Sequence, residues 1–112
     1  MTPDVTDEQI RALAATARPF SLAVLRWAPG RGQDGADAVE LEHQRRMVGL
    51  RTSGTIAVLC PVLSDDVAGV AVMTVDPEGA RTLMADDPCV RAGMMTVEVL
   101  PCVGFPGDAL PG

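Results

Sequence analysis

The stretch TIAVLCPVLSDDVAGVAVMTV, residues 55–75, decides the fold. It holds two runs of strand-forming residues, TIAVLCPVL and GVAVMTV, separated only by SDDVA. A parallel crossover needs a dozen or more residues, so these strands return on each other as an antiparallel hairpin. Working outward, FSLAVLRWA at residues 20–28 reads as an earlier strand closed by the turn-rich PGRGQDG. MMTVEVLPCV at residues 94–103 reads as a later one, leading into the Pro/Gly-rich tail GFPGDALPG.

Helical patterns fill the two gaps. Asp37 stands three residues before Glu40 and opens DAVELEHQRRMVGLRTSG, residues 37–54, a helix that should stop at Gly54. Val39, His43, Met47 and Leu50 fall at i, i+4, i+8 and i+11, one face of a 3.6-residue period, while Glu42, Arg45, Arg46 and Arg51 point elsewhere. The second helix starts at Asp76 as N-cap with Pro77 in its first turn. Its inward stripe is Ala80, Leu83, Met84 and then Asp87, and Pro88 disfavours a helical conformation at Asp87, which ends it there. Ahead of all this, Thr6-Asp7-Glu8-Gln9 is a capping-box pattern followed by Ile10, Leu13, Ala14 and Ala17 at helical spacing. It predicts a short helix before Pro19.

The order strand, helix, strand, strand, helix, strand predicts an α+β, ferredoxin-like βαββαβ fold with a four-stranded antiparallel sheet. Residues 1–19 form an N-terminal helical extension, residues 20–105 the domain and residues 106–112 a tail. The chain has 112 residues, 47% of them hydrophobic, enough for one core and too little for two. Its strands are apolar on both alternating sets of side chains, whereas two helices cover only one sheet face. The uncovered face predicts a homodimer packed sheet to sheet.

Several partners are excluded by composition. The formal net charge is −6 and the arginines are scattered, so no basic stripe for nucleic acid forms. The longest apolar run, residues 56–63, is far short of the roughly 20 residues that cross a bilayer and contains Pro61. The first residues, MTPDVTDEQIRA, are acidic where a signal peptide is basic and then apolar, so a soluble, cytoplasmic protein is expected. Cys60, Cys89 and Cys102 form no C-x-x-C, and with a single histidine they make no zinc spacing. They read as reduced, packed thiols, and no metal or cofactor is expected.

Chemistry concentrates on two residues. His43, the only histidine, is the only polar group on its inward stripe. Asp87 places a carboxylate at a helix C-terminus on the buried side, where the macrodipole and lost hydration both demand a donor nearby. His43, Arg26, Arg81 and Arg91 are the available donors. Two helices side by side on one sheet face bring His43 and Asp87 within reach. A carboxylate holding one ring nitrogen fixes the tautomer and leaves the other for general acid/base work. The plainer readings are a structural histidine and an Asp-Pro turn signal. Arg26, alternating with Leu22 and Val24, reads as an anion contact or as an edge-exposed charge. Trp27 reads as a pocket wall or as packing on the opposite face. Ser53 and Ser64 lack a nucleophile elbow, and PGRGQDG has no phosphate-loop spacing in a chain without lysine. A metal on His43 and Asp87 lacks visible further ligands.

ARTLMADDPCVRAG, residues 80–93, resembles the end of the last helix in the YCII-related family, A-x-x-L-x-x-x-DP-F-x-x-x-G. Ala80, Leu83, Asp87, Pro88 and Gly93 match, and Cys89 replaces the usual aromatic residue. His43 in EHQRRMVGL is similar to that family's histidine on the first core helix, and Cys60-Pro61 stands for its Gly-Pro after the second strand. LRWAPG resembles the end of its first strand, with Trp27 in place of a frequent tyrosine. The similarity spans roughly residues 20–105. It implies a dimeric α+β barrel with a His-Asp active site.

These readings lead to a small cofactor-independent enzyme of the lyase or isomerase kind, acting on a small organic molecule through His43 with Asp87 orienting it. Arg26 and Trp27 would bind the substrate. The alternative from another class is a non-catalytic ligand-binding or regulatory module built on the same cavity.

Overall fold

The computed structural model describes residues 1–112. Its elements are α1 (Asp7–Ala14), β1 (Arg18–Trp27), a 3-10 turn (Pro29–Gly32), α2 (Ala36–Thr52), β2 (Ile56–Pro61), β3 (Val67–Met73), α3 (Pro77–Ala85), α4 (Pro88–Arg91) and β4 (Met95–Gly104). The strands make one antiparallel sheet in the order β2-β3-β1-β4. With α2 joining β1 to β2 and α3 joining β3 to β4, this is the ferredoxin-like split β-α-β arrangement.

The hairpin forms where the sequence requires it, with its five-residue connection shifted two positions back to residues 62–66. Val67 and Ala68 belong to β3 rather than to the turn, because Val67 pairs with Arg26 and the Ala68 carbonyl accepts from the Val62 amide. Ser64 Oγ holds the bend by accepting from the amides of Asp66 (3.0 Å) and Val67 (3.3 Å).

Two helix starts follow their capping signals. Thr6 and Gln9 exchange side-chain and backbone bonds in a capping box, and Asp76 accepts from the Gly79 amide at 2.7 Å. The start of α2 is different. Its N-cap is Gly35 at φ +80°, and Asp37 lies inside the first turn with no capping bond. A left-handed N-cap conformation suits glycine, and the acidic side chain still faces the positive end of the helix. The helix α3 stops at Ala85, and the four-residue α4 after it has no periodicity by which the sequence could announce it.

Alternation along β1 separates the two faces of the sheet. Ser21, Ala23 and Leu25 are buried beneath the helices, where Ala23, Ile56, Ala71, Met73 and Val99 meet Met47 of α2 and Ala80 and Met84 of α3. Leu22, between Val72 and Leu100, and Val24, between Val70 and Glu98, look the other way. That outer face keeps much of its apolar surface: Leu22, Val24, Val70 and Val72 are half-buried, and Leu100 is exposed. Cys60 shares the outer face and is exposed on the edge strand, unlike the packed thiol expected of it; Cys89 is buried and Cys102 is intermediate. No helix is long and apolar enough to cross a membrane. The extension α1 has no buried residue, with Ile10 57% and Leu13 51% exposed.

Candidate active site

The break between α3 and α4 builds one half of the site. Pro88 fixes its own φ and forbids a helical Asp87, so the chain turns there and restarts with Asp87 as the N-cap of α4 (ψ 135°). Asp87 Oδ2 accepts from the amides of Cys89 (3.0 Å) and Val90 (3.4 Å). The carboxylate is thereby fully buried with its aim fixed from its own chain.

The helix α2 supplies the other half. His43 Nδ1 lies 2.8 Å from both Asp87 oxygens. Oδ2 already accepts two backbone N–H bonds and an ionised carboxylate has no proton to give, so the ring nitrogen is the donor and the imidazole carries its proton on Nδ1. Nε2 makes no hydrogen bond, yet it is not a buried orphan, and the side chain keeps 15% exposure. It faces a cleft of about 340 Å³ between α2 and the sheet, walled by Leu25, Trp27, Met47, Leu59 and Ala71. Glu40 and Gln44 are the other polar side chains of α2 along the cleft.

The sequence-derived residues separate into two groups. His43, Asp87 and Trp27 come together: Trp27 lies on the helix side of β1, and the Arg31 guanidinium stacks on its ring at 3.9 Å. Arg26 is not brought to this site. One step along β1 turns it to the outer face, where it pairs with Glu98 at 2.9 Å with 42% of its side chain exposed. Of the other donors weighed for Asp87, Arg81 instead bonds the Val99 carbonyl (3.4 Å).

Sequence reasoning missed two neighbours. Arg46, grouped there with outward-facing residues, reaches inward: Nη2 donates to the Leu83 carbonyl, and Nη1, buried and without a hydrogen bond, lies 4.0 Å from Asp87 Oδ1. Its signal was the i+3 spacing from His43, combined with a stem long enough to cross the helix surface. The second is Cys89, whose Sγ lies within 4.8 Å of the ligating atoms of His43 and Asp87. Burial, the charge of Asp87 and that of Glu40 push its thiol up to about 11, so it is no nucleophile at neutral pH. No protein-family model matches the chain, and no curated protein matches it.

Proposed function

We propose that this protein is a small enzyme that moves a proton on a small, largely apolar molecule, as a lyase or isomerase does, with the YCII-related family as its kin. The observation that carries the reading is the 2.8 Å contact of His43 Nδ1 with a fully buried carboxylate, which leaves Nε2 as the open nitrogen toward the cleft. With the proton on Nδ1, Nε2 presents a lone pair: it takes a proton from a bound carbon acid and returns it to another atom of the same molecule or to a leaving group. Asp87 does not touch the substrate in this scheme. It holds the ring and stabilises the imidazolium formed in the middle of the cycle.

The cleft restricts the substrate. No arginine lines it, and Glu40 adds negative charge beside it, so an anionic group is disfavoured; a neutral molecule with a flat or branched apolar body fits best. Trp27, the only tryptophan, gives the cleft an aromatic wall. We also propose that the outer sheet face closes against a second copy, and that the protein works in the cytoplasm, in accord with three unpaired thiols.

The test is solvent exchange. Wild-type protein incubated in D2O with a panel of neutral carbon acids (cyclic ketones, lactones, enones) should place deuterium on at least one of them. His43→Gln should remove that activity by 10²-fold or more while leaving the circular dichroism unchanged. Exchange that survives His43→Gln removes His43 from the reaction. Ligands that quench Trp27 fluorescence without any exchange would make the domain a binding module.

A further inference from the structure

We propose that His43, Asp87 and Cys89 form a site for a thiophilic divalent cation of the zinc and cobalt class, with the metal replacing the proton shared by imidazole and carboxylate. Three different ligand types converge from two separate parts of the chain. A ring nitrogen of His43, a carboxylate oxygen of Asp87 and Cys89 Sγ all lie within 4.8 Å of one another, and Nδ1 is the ring nitrogen that touches Asp87, at 2.8 Å. Ligand atoms around a tetrahedral cation, at bonds of about 2.0–2.3 Å, stand roughly 3.3–3.8 Å apart, so small side-chain shifts suffice. The Asp87-Pro88 turn brings Cys89 back beside the carboxylate, and the bond from the Cys89 amide to Oδ2 holds it there.

The donor set selects the metal. One nitrogen, one sulfur and one oxygen suit a borderline-soft ion, whereas magnesium and calcium take oxygen ligands throughout. Three protein ligands is also the number that leaves a position for water in zinc sites. The balance of the binding step is simple. The thiol gives up its proton to solvent, sulfur binds as thiolate, and the imidazole proton on Nδ1 is released while Nε2 takes one up, so one proton leaves per cation. Charge around the site is mixed: Glu40 adds negative potential, while the Arg46 guanidinium, 4.0 Å from Asp87 Oδ1, opposes a second cation. The metal site stands on its own geometry. Where it meets the proposed acid/base role of His43, it acts as an off-state, because protonated Nε2 offers no lone pair to the cleft.

Cobalt is the direct probe. Co2+ titrated into reduced, metal-free protein should bind one equivalent, with a thiolate-to-cobalt charge-transfer band and the visible bands of a tetrahedral ion, and Zn2+ should displace it. Cys89→Ala should abolish the charge-transfer band, whereas Cys60→Ala and Cys102→Ala should keep it. Should Cys89→Ala fail to fold, Asp87→Asn serves with all thiols intact, and Co2+ affinity should fall at least tenfold. Arg46→Met, by removing the opposing charge, should tighten Co2+ binding several-fold. Absence of a thiolate band at stoichiometric Co2+, or a band that follows Cys60 or Cys102 instead of Cys89, overturns the proposal.

Discussion

Asp87 is fully buried, and every polar group around it is a donor: the His43 ring N–H, the amides of Cys89 and Val90, and the Arg46 guanidinium. Asparagine keeps the shape but must turn an NH2 toward one of these donors. The N-cap bonds are worth about 0.5–2 kcal/mol and an unsatisfied buried donor costs about 1–3 kcal/mol, so Asp87→Asn should lose about 2–4 kcal/mol in urea denaturation. A loss below about 1 kcal/mol would mean that the carboxylate is not holding these donors. Cys89 yields a second prediction. Its thiol is raised from 9.0 to about 11 in the folded protein, so between those values the native state keeps a proton that the unfolded state releases. Stability is complete below about pH 9 and falls as the pH approaches 11, by at most about 2–3 kcal/mol. The chain has neither lysine nor tyrosine, so thiols are the only side chains whose ordinary titration falls in that window. Urea midpoints of metal-free protein should therefore decline across it, and in Cys89→Ser the decline should largely vanish; an equal slope in the variant would assign it to another thiol.

Among the elements, the 3-10 turn after β1 is the most tightly fitted. The Gly30 amide bonds the Gly93 carbonyl at 3.1 Å, and a Cβ on Gly30 would lie 2.5 Å from that same oxygen. The Gln33 side chain, with Nε2 2.9 Å from that Cβ, could move aside, but the Gly93 backbone could not. Gly30→Ala should cost about 1–3 kcal/mol, whereas Gly32→Ala in the same turn, with nothing near its would-be Cβ, should be close to neutral. Thermal denaturation of the pair checks this, and equal midpoints would show that the turn yields easily. The turn also shows where the sequence was legible. PGRGQDG was readable as a chain reversal from its glycines and proline, but its packing against Gly93 depends on a residue about sixty positions away. The same division applies elsewhere. Runs of strand-forming residues, the capping residue Asp76 and the shortness of the hairpin are local signals, and they led to the βαββαβ order. The inward stripes of α2 and α3 placed His43 and Asp87 on facing sides, and they touch. Arg46 escaped because a periodicity argument assigns a direction to Cα–Cβ, while a guanidinium on a long stem ends up where its charge is needed. Cys89 escaped because its position follows from the Asp-Pro turn and from no period at all. Arg26 carried no local sign of its face until the burial of Ser21, Ala23 and Leu25 set the parity of β1.

For the whole molecule, the consequence of the fold is its uneven cover. Helices bury one side of the sheet, while the other presents Phe20, Leu22, Val24, Val70, Val72 and Leu100, with the Arg26–Glu98 pair beside them. Soluble monomers seldom leave so continuous an apolar surface to water, and a two-fold axis through the sheet centre would set each copy's valines and leucines against the other's. Arg26 and Glu98 lie on the same face, and in such a pair they would flank the apolar centre, where their charges favour a fixed register over a sliding one. Leu22 sits at the middle of this face, between Val72 and Leu100. A carboxylate there would be desolvated against its own symmetry mate, a cost of several kcal/mol in the dimer and almost none in a free chain. Sedimentation of the wild type should give twice the 11.7 kDa chain mass, and Leu22→Glu should sediment as a single chain with unchanged circular dichroism. Ile10→Glu, on the exposed helix α1 away from the sheet, should leave the mass doubled. A wild type that stays monomeric at micromolar concentration, or a Leu22→Glu variant that still pairs, would move the contact off this face and leave its apolar surface to some other partner.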